Sequence, residues 1–317
     1  MFNFKNVKWI MVVVMLVSAL LPLSISVGAQ EEKIKIGVLQ TVEHEALDAV
    51  LAGFKETIEQ SNLKDRVEWD IHNASGDMAN MQSMSEKLAR DNDILFAIAT
   101  PAAQALATVE SKKPIFIAAV TDPVEAGLAE SLEKPGRNVT GTSDMAPIED
   151  QVALLTRNFP NVKKVGIIYN SSEINSVVLA ELSTKALEAA NLTVEVGTVT
   201  STNDIAQVLT PLVEKVDAMF MVTDNTIDSS IALVGDIAKA AKIPTIGSSE
   251  PVVKANGLAT LSNSYKDYGV QTAEMLINMV EKELTPAEMP IELANKLELV
   301  VNEEFAKAID VDPASIK

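Results

Sequence analysis

Six short polar clusters punctuate this chain: Gln40-Thr41-Val42-Glu43, Thr100-Pro101-Ala102-Ala103, Thr121-Asp122-Pro123, Asn170-Ser171-Ser172 with Asn175 close behind, Thr223-Asp224-Asn225, and Ser248-Ser249-Glu250. They offer hydroxyls, amides and carboxylates with few long cationic side chains, a set suited to holding a small polar or zwitterionic molecule by hydrogen bonds and ion pairs. Ser, Thr, Asn and Asp are also the usual helix N-caps, so at any single position local capping accounts for the residue equally well. Bond-making chemistry has less to draw on. The 317 residues include no cysteine, which removes thiol nucleophiles, thiolate metal sites and lipid-modified N-terminal Cys, and the two histidines, His44 and His72, lie far apart in sequence. The pairs Ser143-Asp144 and Asp122 with Glu125 have no histidine near them in sequence to serve as base. Neither a G-x-G-x-x-G nor a Walker loop is present. The residues thus argue for a binder without cofactor, metal or catalytic group.

The elements that position these clusters read as short β-rich runs alternating with segments of helical spacing, the pattern of a parallel α/β sheet. A first series has strands at 34–40, 67–73, 94–100 and 114–120 with helices at 43–60, 78–90 and 101–110. A second follows the loop TGTSDMAP, with strands at 165–170, 192–198, 218–224, 243–249 and 258–264 and helices at 173–190, 203–215, 226–241 and 265–282. Two such series predict two similar lobes, joined closely because no Gly/Ser or Pro-rich tether separates them. Each polar cluster then falls at the carboxyl end of a strand, where open parallel sheets bind ligands. His44 opens the first helix beside that cleft. Met78, Met81 and Met84 at three-residue spacing read as core filling.

Lys5 and Lys8 precede the apolar run WIMVVVMLVSALLPLSISV, and Val27-Gly28-Ala29 supplies small side chains before Gln30, the form of a secretory signal over 1–29. Its removal leaves 24 basic against 44 acidic side chains, a net charge of −20. So acidic a chain, with no basic run, argues against phosphate-backbone binding, and nucleic acid is not an expected partner. The expected location is outside the cytoplasmic membrane, periplasmic or at its outer face, without a lipid anchor.

The segments GVLQTVEHEALD, IATPAAQAL, IAAVTDPVEAGL, PGRNVTGTSD, VGIIYNSSEINS, VTDNT and LATLSNSYKDYG, in this order from about Lys33 to the C-terminus, resemble the substrate-binding proteins of ABC transporters in the TrpX/TrpY-like family associated with aromatic amino acids. The resemblance implies a type I periplasmic-binding-protein fold, two Rossmann-like lobes joined by three crossings and closing on a ligand, with permease subunits in the membrane as partners. It also implies an interleaved chain path: a first lobe of 33–142 plus 265–290 and a second of 143–264 plus 291–317. A ligand-sensing partner of a membrane receptor would need the same fold and export.

For an amino-acid ligand, the α-carboxylate is expected at Thr100 and the amides of Ala102 and Ala103, with Thr121 assisting, since Pro101 starts a helix whose free N–H groups favour an anion. The ammonium is assigned to Asp224, then to Glu250 or Asp122, because a buried cation must be paired. Gln40, Thr41 and Glu43 from the first lobe and Asn170, Ser171, Asn175, Asn225 and Ser248 from the second complete the expected ring. Aromatic residues make up 4% of the chain. Tyr265 and Tyr268 read as hinge packing, and Val42, Leu47 and Val124 as an aliphatic wall for a ligand ring.

Overall fold

The structure, a computed structural model, describes residues 33–293 and 296–317; the signal expected at 1–29 lies outside the described residues. Its strands are β1 (Ile34–Gln40), β2 (Val67–Asn73), β3 (Ile94–Ile98), β4 (Ile115–Val120), β5 (Val139–Ser143), β6 (Lys164–Asn170), β7 (Thr193–Val199), β8 (Ala218–Met221), β9 (Thr245–Gly247), β10 (Ala259–Ser262), β11 (Glu292–Leu293) and β12 (Glu298–Val301). The α-helices are α1 (Glu45–Glu59), α2 (Met78–Asp91), α3 (Thr100–Val109), α4 (Ile148–Asn158), α5 (Ile174–Ala189), α6 (Ile205–Val213), α7 (Asn225–Asp228), α8 (Ile231–Ala240), α9 (Glu250–Asn256), α10 (Tyr265–Lys282) and α11 (Glu303–Ala308).

Two sheets result, ordered β11-β5-β4-β3-β1-β2 and β12-β10-β9-β8-β6-β7. The first is parallel in every pairing, and the second departs only where β12 runs antiparallel to β10. Parallel strands covered by helices on both faces are apolar along their whole length, which is why β3 and β4 are buried at every residue. The chain passes between the sheets after β5, after β10 and between β11 and β12, always at the same edges. These two α/β lobes have the type I periplasmic-binding-protein architecture.

The passages fall slightly later than the sequence suggests. VTGTS, read as part of a loop, is the fifth strand of the first sheet, buried at all five positions. Glu292 and Leu293 pair with Thr142 and Ser143 of that sheet, whereas the sequence placed 291 onward in the second lobe. A two-residue strand carries no periodicity to read. Two helices, α4 and α9, also lie where no element was expected. Met81 is core, but Met78 is 73% exposed at the first turn of α2, so the methionine stripe is not uniformly buried.

The first lobe's core centres on α1 and α10. Ala46, Leu47, Val50, Phe54 and Ile58 recur along one face of α1 and join Tyr265, Tyr268, Ala273, Leu276 and Met279 of α10 in one buried cluster. Phe54 stacks on Phe96 at 3.9 Å between ring centroids and meets Trp69 edge-on at 6.0 Å. Leu47 is thereby a core residue rather than a wall of the cleft, and Val124 is exposed. The helices touch backbone to backbone: a Cβ on Gly269 would strike the Val50 carbonyl oxygen, and one on Gly53 the Lys266 carbonyl oxygen. This contact anchors the segment that returns from the second lobe. Gly269→Ala should therefore destabilise the protein by about 1–3 kcal/mol through overpacking, read as a lower Tm with unchanged far-UV circular dichroism. An unchanged Tm would show that the two backbones are not in contact.

Candidate functional site

The strand order lays the polar clusters out along the cleft. From the hinge outward the first lobe presents Asp144 after β5, Thr121 after β4, Thr100 after β3, and Thr41 with His44 after β1. The second presents Asn263 after β10, Ser248 and Ser249 after β9, Asp224, Asn225 and Asp228 at and within α7 after β8, and Asn170, Glu173 and Asn175 after β6. Several contacts join the two rows. Tyr265, at the start of α10, donates to Asp144 at 2.6 Å and lies close enough to Asp228 to feel its charge. His44 sits beside Asn225, α9 packs against α1, and Ile174 packs on an apolar cluster of the first lobe. The lobes are closed on one another.

Four carboxyls are buried at these strand ends. Asp224 is 0% exposed; its oxygens accept from the backbone N–H groups of Asn170 at 2.6 Å and Ile227 at 2.8 Å, and burial followed by the nearby Glu173 charge pushes it up to about 7. Asp228 accepts from the Ser248 hydroxyl, at 3.1 and 3.3 Å, and burial and the Asp224 charge raise it well above the usual carboxylate range. Asp144 is raised by burial, against the hydrogen bonds from Tyr265 and Thr121. Glu173 accepts from Asn170, Asn225, Thr226 and, at 3.5 Å, Asn175. No lysine or arginine enters among the interactions that shift Asp144, Asp224 or Asp228. Buried carboxylates without a cation are costly, and protonation or a bound cation is what relieves them.

The same region holds polar atoms with no partner. Thr100 Oγ1, Asn175 Oδ1, Ser249 Oγ and Asn263 Oδ1 are buried and unbonded, and both ring nitrogens of His44 are buried with no hydrogen bond of good geometry, Asn225 lying beside the ring. Leaving such a group unpaired costs about 1–3 kcal/mol, so each asks for an explanation. The capping explanation for Thr100 fails: the N-cap of α3 is Ala99, held at φ 76°, and Thr100 stands inside the first turn with its hydroxyl free. Ala119 and Ser248, also at strand ends, share this left-handed conformation at φ 54° and 56°. Non-glycine residues are strained there, a cost that clusters at functional sites.

Most of the other expected site residues already have partners within the protein. The amides of Ala102 and Ala103 are already taken, by Thr41 Oγ1 at 3.2 Å and by the Ala99 carbonyl, and have no N–H left for an anion. Thr41 is itself spent holding Ile98 and Ala102. Asp224 serves the backbone of its own lobe rather than facing the other. Glu250 pairs with Lys254 on α9, and Asp122 caps its own turn through Val124 and Glu125. Gln40 donates to Val42 and Asp48, Thr121 to Asp144, and Asn225 to Glu173. Glu43 and Ser171 are exposed. Asp228, Asp144, Ser249 and Asn263 lie buried at the same strand ends; the sequence places Ser249 within a polar cluster and Asp144 beside Ser143 but assigns none of the four to the ligand. Among the described residues no cluster of His and acid side chains is arranged to hold a metal ion. A groove of about 400 Å³ beside α10, lined in part by Asn263, Asp267, Gln271, Glu274 and Lys296, takes Asn263 from the end of β10 but none of the residues at the ends of β1, β3, β4, β6, β8 or β9.

These shifts have a sign. Asp224 moves from 3.8 unfolded to about 7 folded, so its contribution to stability is fully present below 3.8 and lost as pH rises through about 7. His44 is pushed by burial from 6.5 down to about 4, so its contribution is lost as pH falls from 6.5 toward 4, and the two oppose each other in that window. The Tm difference between wild type and Asp224→Asn should therefore grow in favour of wild type as pH falls from about 7 to about 5, in scans of ligand-free protein. A difference that stays constant would place Asp224 in water, and one that grows as pH rises would show its ionised form favoured by the fold.

Known proteins share this design. The model of the ABC transporter substrate binding protein family matches residues 35–314. The chain is 37% identical to a tyrosine-binding protein of Clostridioides difficile (strain R20291), over 88% of this chain and 82% of that one. Among solved structures it superposes on an ABC domain from Streptococcus pneumonia in complex with L-Trp with a TM-score of 0.85, at 39% identity over 88% of this chain and 95% of that one. Against the ligand-free, open substrate-binding protein with adhesive properties from Clostridium difficile, similarly related at 36% identity and covering 88% of this chain and 95% of that one, the TM-score is 0.68. The lobe arrangement is therefore nearer the liganded relative than the open one. A binding cleft without catalytic machinery, on two interleaved α/β lobes, is what the family is built around, and this chain belongs to the ABC transporter substrate-binding proteins.

Proposed function

We propose that this chain delivers an aromatic L-amino acid to an ABC importer, binding it outside the cytoplasmic membrane by closure of a lobe of 33–143 plus 265–293 onto one of 144–264 plus 296–317. The observation that carries the reading is the pairing, inside one closed cleft, of carboxyls lacking a cation with hydroxyl and amide atoms lacking any partner. An amino acid answers both needs. Its ammonium goes to Asp228 and Asp144, the two acids that flank Tyr265. Its carboxylate goes to the Thr100 hydroxyl, with Ser249 from the other lobe. The side chain then points outward toward the ends of β1 and β6. Relatives that bind tyrosine and L-Trp support the aromatic assignment. A secretory leader at 1–29 supports export, and among the described residues no helix is long and apolar enough to cross a membrane. Permease subunits would be the protein partners.

Calorimetry on protein unfolded and refolded to strip bound ligand should give submicromolar affinity for an aromatic L-amino acid. Heat only with a sugar, purine or metal would replace the ligand class. Thr100→Val and Asp228→Asn should each weaken that affinity by about 1.5–3 kcal/mol, the value of a hydrogen bond to a charged group. Thr100→Val should leave the Tm of the stripped protein within a few degrees, since its hydroxyl bonds nothing in the protein. Lost stability with unchanged affinity would remove Thr100 from the site.

A further inference from the structure

The outer end of the cleft holds a second polar pair that the amino-acid backbone does not use. His44, the N-cap of α1 in the loop after β1, and Asn175, in the first turn of α5 after β6, come from opposite lobes and share neighbours: Asn225 lies beside His44 and donates to Glu173 at 2.5 Å, and Glu173 also accepts from Asn175 at 3.5 Å. Both nitrogens of His44 are buried, and neither makes a hydrogen bond of good geometry, the Asn225 side chain being the one polar group near enough to act on the ring. In Asn175 the amide nitrogen has Glu173, Ser176 and Thr223 within reach, while the oxygen has nothing. Capping does not explain this pair. The N-cap of α5 is Glu173 and no side chain caps it, and His44, the N-cap of α1, makes no capping bond.

Their place in the sheets says what they meet. Thr121 follows β4, Thr100 follows β3 and His44 follows β1, three adjacent strands, so His44 stands two strand spacings, roughly 10 Å, beyond Thr121. A ligand whose charged groups sit at Asp144, Asp228 and Thr100 extends its ring in that direction. Desolvation keeps the imidazole neutral, with one nitrogen a donor and the other an acceptor. Asn175 Oδ1 accepts only.

We propose that His44 and Asn175 are specificity-determining residues that read a hydrogen-bonding atom on the ligand's ring, so that this protein selects phenol- and indole-bearing amino acids over phenylalanine. The inference rests on the aromatic amino-acid reading above and narrows it. A phenol hydroxyl both donates and accepts, and satisfies Asn175 Oδ1 together with the His44 N–H. An indole N–H satisfies one acceptor. A benzyl ring satisfies none and leaves the pair buried and unbonded, the situation in which sites built around a hydrogen bond reject an analogue lacking it.

The test is calorimetry of tyrosine, tryptophan and phenylalanine against stripped wild type, His44→Phe and Asn175→Leu, with Tm as the folding control. In wild type, phenylalanine should bind at least about ten-fold more weakly than tyrosine, the equivalent of one buried hydrogen bond lost. In His44→Phe that gap should shrink several-fold, chiefly through weaker tyrosine binding, while phenylalanine is held as tightly as before or more tightly. Equal affinity of wild type for tyrosine and phenylalanine overturns the inference without any variant being made. So does a gap that persists in both variants, or an equal loss for all three ligands. Absence of heat with all three in wild type sinks the aromatic reading itself, which separates the two failures.

Discussion

The cleft is organised around carboxyls that lie out of water and that no lysine or arginine among the described residues pairs with. Asp144, Asp224 and Asp228 all lie buried at strand ends, and burial is the largest influence on each. Backbone amides hold Asp224 and a ring of amides and hydroxyls holds Glu173, so these two are accommodated by the protein. Asp228 and Asp144 are accommodated less well, by a serine and by a tyrosine and a threonine. An unpaired buried charge opposes closure; a ligand that brings the charge removes that opposition. Opening and closing thereby become a matter of differential affinity, the only means by which a ligand shifts such an equilibrium.

The fold makes this arrangement available cheaply. Parallel strands end together, and their ends carry the loops, so two sheets joined at one edge set two rows of polar side chains face to face. Three chain passages at that edge restrict the motion to a hinge. Tyr265 belongs to both the core and the site: its ring packs edge-on to Tyr268 at 5.4 Å within the first lobe's core, and its hydroxyl reaches Asp144. The helix that anchors the returning chain thus also fixes one of the acids. Backbone strain at Ala99, Ala119 and Ser248 sits at the same strand ends, where the chain must turn sharply to aim its groups inward.

Much of this was legible in the sequence, and the gaps have physical causes. Buried parallel strands are apolar throughout, so IKIGVLQ, ILFAIAT and PIFIAAV declare themselves. VTGTS does not, because its core-facing positions are small and hydroxylated, with Thr140 and Thr142 satisfied by the backbone and side chains of the returning chain, including Met289 and Thr272. The polar groups at strand ends were visible as a class. Which of them are free was not, since that depends on partners more than fifty residues away: Thr41 takes the Ala102 amide, and Asp224 takes the Asn170 amide. Asp228 follows Asp224 by one helical turn and looks in sequence like an ordinary exposed helix acid. Only the closed lobes show that it is 2% exposed.

The most direct test compares L-tryptophan with two analogues, one lacking the amino group, 3-indolepropionate, and one with its carboxylate masked, the methyl ester. If unpaired buried acids drive the recognition, the deaminated compound should lose at least about a hundred-fold in affinity, in line with the cost of burying an unpaired charge. The ester, which keeps the ammonium, should lose less. Binding of 3-indolepropionate as tightly as tryptophan would contradict the account at its centre.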